Sequence, residues 1–299
     1  MENPPDTRGI GGNGRLPFIQ ALRARFIAQL AYESKQGGQL ALYSFIFFTR
    51  NHMAHTSYTG WPALKPALYL FIILALLMLW YGPIAQQAHY HDFADQRAGL
   101  GIANLRDVLS NLGFALIGAW GLQRSGSQQG IAKAGWMFGF FSLLLTAVGS
   151  VWYHLAPDDV RLIWDRIPIA LACAGFLSAL ASQLHGRLNS TWFIVPLACW
   201  AVLSVGYWAV TQDLRPYLLL QALPLILLPL WQWQLCGRQR PFWLMLAASL
   251  CYILAKTAEL QDLMLFNTLQ QYLSGHTLKH LLASLACLFI LFASPHETA

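Results

Sequence analysis

Residues 191–211 read TWFIVPLACWAVLSVGYWAVT, an apolar stretch without one Asp, Glu, Lys or Arg. A helix crosses a bilayer in about 20 mostly apolar residues, with a range of about 17–25. A membrane strand would instead alternate apolar and polar side chains over about ten residues. The stretch therefore predicts a spanning helix. Working outward, further segments pass the same test at about residues 66–84, 105–122, 135–154, 167–185, 216–235, 242–258 and 274–294. Helix breakers separate them: Gly126, Gly130, Pro157, Gly186, Pro216, Gly237 and Pro241. The expected fold class is all-α, a polytopic membrane helix bundle, because only helices or closed barrels satisfy the backbone in lipid.

Composition agrees. The 299 residues are 56% hydrophobic and 11% charged, against about 25% charged in an ordinary soluble domain. Such a chain cannot cover a water-exposed surface, which excludes a soluble globular enzyme and a disordered protein. The net charge of +6 belongs to membrane topology rather than to nucleic acid, since Lys and Arg collect on the cytoplasmic side. With the N-terminus inside, 12 of the 19 Lys and Arg lie on inner segments. Cys173, Cys199, Cys236, Cys251 and Cys287 all fall in apolar stretches, form no C-x-x-C pair and imply no disulfide framework.

Residues 1–65 form an N-terminal extension with scattered Arg and a short apolar run at 40–48. It reads as an amphipathic surface segment, or as the product of a start placed upstream of Met53; no cleavable signal peptide is expected.

Drawn in order, the predicted helices bring three distant segments to one membrane face. One ends in Gly149-Ser150-Val151-Trp152-Tyr153-His154, the next starts straight after Trp164-Asp165-Arg166, and the last opens with Ser274-Gly275-His276-Thr277-Leu278-Lys279-His280. Ser150 and His154 are i, i+4, as are His276 and His280, so each pair shares a helix face. Three neutral imidazoles suit Zn²⁺ and leave its fourth position open, the catalytic arrangement. Asp165 could orient a ligand or accept a proton. Taken alone, each i, i+4 pair reads more readily as interfacial residues than as metal ligands. Paired axial haem ligation is disfavoured, since those ligands approach from opposite faces. Lys256, Glu259 and Asp262, spaced by three, read as a salt-bridged helix end, or as head-group binding or support for the site. Lys279 is expected to snorkel to the surface.

The set S-x-x-x-H, an Asp eleven residues later and a C-terminal H-x-x-x-H resembles the CREST superfamily of intramembrane hydrolases. Within it the chain is most similar to the alkaline ceramidases and their bacterial relatives. Tyr90-His91-Asp92-Phe93-Ala94-Asp95-Gln96-Arg97 and Val108-Leu109-Ser110-Asn111-Leu112 extend the match over roughly residues 88–294. The resemblance implies a seven-helix core over 85–299, with 66–84 as an added helix. It implies a zinc held by His154, His276 and His280, with Asp165 holding the attacking water and Ser150 supporting the oxyanion. It also implies a calcium site, for which Asp92, Asp95 and Asn104 are available, although Asn104 supplies an amide where a charge is expected.

The activity implied is zinc-dependent cleavage of the N-acyl amide of ceramide, or of a ceramide-like membrane lipid, to fatty acid and a long-chain amine. Neither nucleic acid nor an obligate protein partner is expected. The implied location is a bacterial inner membrane with the site towards the periplasm. Two other readings stay open: a receptor of the progestin and adiponectin receptor type, in the same superfamily, and a transporter. The Tyr90 to Arg97 loop favours the ceramidase branch. The placement of the polar cluster near one interface disfavours a transporter.

Overall fold

The computed structural model describes residues 59–295; the extension up to residue 58, with its alternative start at Met53, lies outside them. The described residues form α1 (Trp61–Tyr81), α2 (Leu105–Ser110), α3 (Leu112–Gly126), α4 (Lys133–Leu155), α5 (Asp159–His185), α6 (Thr191–Thr211), α7 (Arg215–Cys236), α8 (Arg240–Leu260), α9 (Asp262–Thr268) and α10 (Gly275–Ala293). Among them α1, α4, α5, α6, α7, α8 and α10 are long and apolar enough to cross a membrane. Large apolar side chains cover the outside of the bundle, among them Trp80, Val148 and Val210. A water-exposed surface rarely tolerates contiguous patches of this kind. The protein is an all-α, multi-pass membrane bundle. The five cysteines are free thiols, Cys199 exposed and the others half-buried.

The expected span at 105–122 is instead two helices that meet at Asn111. The Asn111 side-chain amide donates to the Asp107 carbonyl at 2.8 Å, taking the acceptor that its own backbone N–H would use in an unbroken helix. The span expected at 167–185 starts earlier, at Asp159, because the Asp158 carboxylate caps it by accepting from the Arg161 N–H. Asp165 and Arg166 therefore lie inside the helix and face the protein rather than preceding the span. The N-terminal span likewise opens at Trp61, with Pro62 in its first turn.

Small residues let the central helices touch backbone to backbone, the usual device where lipid supplies no hydrophobic drive between helices. A Cβ added to Gly175 of α5 would lie 2.4 Å from the Gly139 N of α4. Two such contacts sit beside the polar cluster. A Cβ on Gly149 would lie 2.1 Å from the Trp164 carbonyl oxygen, and one on Gly275 would lie 2.2 Å from the Ala258 carbonyl oxygen. The first brings Ser150 against Asp165, and the second sets His276 beside the end of α8. Gly149→Ala is therefore expected to lower the thermal midpoint in detergent through an overpacking cost of about 1–3 kcal/mol. Gly206→Ala, where an added Cβ meets nothing within 4 Å, should stay close to wild type.

Candidate metal centre

His154 comes from the last turn of α4, and His276 and His280 from the first two turns of α10. Their ring centroids are 4.9, 5.0 and 4.9 Å apart, and one ligand nitrogen from each lies within 4.8 Å of the others. All three side chains are buried. Both ring nitrogens of His154 are buried without a hydrogen-bond partner. Leaving buried polar atoms unpaired is costly, and three buried imidazoles this close together could hold a metal ion. Among the described residues this is the one cluster of His, Cys, Asp or Glu able to hold a metal.

The surrounding bonds orient the rings. Ser110 Oγ and His280 Nδ1 are 2.7 Å apart, which leaves His280 Nε2 for the centre. Asn104, in a left-handed conformation (φ 46°), donates its amide N–H to the His154 carbonyl at 2.8 Å and so satisfies a carbonyl at the end of α4. Asp262 accepts from the backbone N–H of His276 and from that of Ala94, both at 2.8 Å. It thus satisfies an N–H in the first turn of α10, beside the Ser274 cap, and ties down the loop between α1 and α2. Thr277 Oγ donates to buried Asp107 at 2.6 Å, which fixes α2 to the same end of α10.

Lys279 does not snorkel. Its ammonium donates to Glu259 at 3.0 Å and to His276 Nε2 at 2.9 Å, with the side chain 14% exposed. An ammonium has no lone pair, so His276 accepts, and Lys279 competes with a metal for that lone pair. The inward pull comes from Glu259, whose carboxylate also takes Lys256 at 2.9 Å and the Tyr90 hydroxyl at 3.0 Å. Burial and that carboxylate push the Tyr90 phenol well above its ordinary pKa. Of the three residues expected at this helix end, Lys256 and Glu259 are paired with each other, whereas Asp262 serves α10.

The loop between α1 and α2 closes one side of the histidines. The Phe93 ring stands 4.8 Å from that of His154 and 4.4 Å from that of His276. On another side lies a cavity of about 410 Å³, whose wall includes His280, Ser150 and Asp165. The Ser150 hydroxyl bonds to the Asp165 carboxylate. Beyond this polar end the cavity is apolar, bounded by Ile169, Phe176, Leu228 and Ile290 among others.

The residues available for calcium have other engagements. Asp95 is held by Arg97 at 2.6 Å and by Arg106 at 3.3 Å, Asp92 pairs with His89 at 2.9 Å, and Asn104 serves His154. Two guanidiniums beside Asp95 repel a cation, so the arrangement does not favour calcium there. The hydrogen bonds from Arg97, opposed by burial, hold the Asp95 carboxyl below its ordinary pKa of 3.8. A depressed native value stabilises the fold above the unfolded pKa and is lost as pH falls through the native one. Asp95→Asn is thus expected to lower the thermal midpoint at neutral pH, with the gap to wild type shrinking below about pH 4. Thermal scans across pH 3–7 check the sign.

Neither a family model nor a curated protein sequence matches the chain.

The site residues first visible in three dimensions are Ser110, Asp107, Thr277 and Phe93. Ser110, Phe93 and Thr277 lie within the motif-bearing stretches, where sequence assigns them no role. Asp107 could have been suspected as an acidic residue within a predicted span, where ionisable side chains are rare and usually functional.

Proposed function

We propose that this protein is an intramembrane metal-dependent amidohydrolase, with zinc as the metal, that cleaves an N-acyl lipid such as ceramide into a fatty acid and a long-chain amine. One observation carries the reading. Three buried imidazoles, closed off by Phe93 on one side, adjoin a largely apolar cavity through His280, Ser150 and Asp165. The donor set fits zinc, because His154 offers unpaired ring nitrogens and His280 is oriented by Ser110. When bound, zinc supplies Lewis acidity, polarising the amide carbonyl and making water a nucleophile near neutral pH.

The chain's own residues supply the rest. The apolar walls take the acyl chain and exclude bulk water, which strengthens every polar contact at the closed end. Asp165 accepts the proton of the attacking water and returns it to the leaving nitrogen. While Asp165 is ionised it accepts the hydrogen bond of the single Ser150 hydroxyl proton. Once Asp165 holds the proton of the attacking water it can donate to the Ser150 oxygen, which frees that hydroxyl for the carbonyl oxygen as negative charge develops there; one such donor is worth about 2.7–4 kcal/mol. A lipid amide reaches such a site sideways, without leaving the bilayer. The excess of Lys and Arg on inner segments supports a cytoplasmic N-terminus and, with it, a site on the opposite face, which in a bacterial inner membrane is the periplasmic one.

The test is a panel of N-acyl lipids assayed for released fatty acid, with and without a chelator, beside elemental analysis of the purified chain. Expected are about one zinc per chain and hydrolysis that the chelator stops and zinc restores. Purified protein that holds no divalent metal, or that leaves every amide intact, overturns the reading.

A further inference from the structure

Arg166 is the charged group that the chemistry above leaves unused. It follows Asp165 in α5, is 4% exposed and lines the same cavity. The other cations of the cavity wall, Lys256 and Lys279, share the Glu259 carboxylate. Arg166 has no carboxylate within 4 Å among the described residues. Nη2 donates to the neutral Gln86 Oε1 at 2.7 Å, and Nη1 is buried with no partner.

Aromatic rings hold the guanidinium in place: Trp208 lies 3.9 Å from its carbon, Tyr90 5.4 Å and Tyr217 5.5 Å. A buried charge with no carboxylate in contact is expensive. A guanidinium oriented by aromatic faces, with N–H groups to spare, is built for a planar anion. Three cations and two carboxylates line the cavity wall, so the wall itself carries net positive charge before any metal is added.

The geometry points to Arg166 as the specificity residue for an anion on the amine side of the substrate. The preferred lipid is an N-acyl amino acid or N-acyl aminosulfonate, in which a carboxylate or sulfonate lies a few bonds from the amide nitrogen. The amine side of ceramide carries only neutral hydroxyls and would leave Arg166 unpaired. This inference narrows the N-acyl lipid of the hydrolase proposed above, with an amino acid or aminosulfonate released in place of a long-chain amine, and rests on that reading for the position of the amide.

The two can be separated by measuring binding and cleavage independently on the purified full-length chain. The probes are N-hexadecanoylglycine and N-hexadecanoylethanolamine, which share an acyl chain and differ in a carboxylate against a hydroxymethyl group. Wild type should bind the glycine amide at least tenfold more tightly, and Arg166→Gln should bring that ratio close to one. Arg166→Lys, which keeps the charge and loses the fork, should fall between them, and it stands in if the Gln variant does not fold. Equal binding of both amides by wild type, or an unchanged ratio in the variants, overturns the assignment. Palmitate affinity that falls in Arg166→Gln as far as that of the glycine amide would place the anion at the acyl end and overturn it as well. A tenfold preference in binding with neither amide cleaved keeps the anion site and removes the hydrolase reading. Cleavage of both amides with no preference in binding does the reverse.

Discussion

His154→Ala is expected to strip the purified protein of its metal, from about one ion per chain to background, and to lower the affinity for added zinc by more than about 100-fold. Loss of an outer hydrogen-bond partner alone typically costs about 10–100-fold, and His154 is itself one of only three donors. The other two donors share one helix, one turn apart, and two imidazoles cannot close a site that zinc fills with three or four protein ligands. His154 is also the most informative of the three to remove. Both its nitrogens are buried and unpaired, so no structural hydrogen bond is lost with the ring. Ser110→Ala gives the graded comparison, because it leaves every imidazole in place and removes the bond that orients His280, together with the Ser110 hydroxyl's bond to the Asp107 carbonyl. Its affinity should fall within the 10–100-fold range. Equal metal content in wild type and His154→Ala, by elemental analysis, would sink the metal centre.

Asp165→Asn is expected to cut amide cleavage by about 10²–10⁴-fold, the usual span for a lost general base, while the zinc content stays at the wild-type level. The substitution keeps the size of the side chain and an oxygen able to accept from Ser150, but it removes the basic site. Asp165 is not among the three clustered imidazoles, so metal binding and proton transfer separate in this variant. Retained zinc with lost turnover distinguishes a base from a ligand. Lost zinc would make Asp165 part of the metal site, and an unchanged rate would remove it from the chemistry. Ser150→Ala should lose less, since the remaining Lewis acid still stabilises the carbonyl oxygen.

Much of this was legible in the chain. The spans follow from runs such as 191–211, because a membrane demands length and low charge from each helix separately. The two histidine-bearing segments and Asp165 could be assigned to one face because helix order alternates direction. The i, i+4 spacing placed His276 and His280 on one side of α10. Sequence could not place Arg166 or Lys279. The span rule puts both near a membrane surface, yet Arg166 is drawn inward by Trp208 and Lys279 by Glu259, partners 42 and 20 positions away. The surroundings of Asp95 and Asn104 were hidden for a related reason. A carboxylate beside Arg97 and Arg106 and an amide on a helix-end carbonyl look the same in sequence as cation ligands.

The amino-acid order alone determined an all-helical, multi-pass membrane protein and the residue types able to bind a metal, because both depend on local composition and on periodicity along one helix. Only the tertiary structure decided that three imidazoles meet within 4.8 Å, that Ser110 orients one of them, that Phe93 shuts one side and that an apolar cavity adjoins another. Those facts depend on how closely separate helices approach. Backbone contacts at Gly149 hold α4 against α5 and those at Gly275 hold α10 against α8, and any larger side chain there would move apart the helices that carry the histidines.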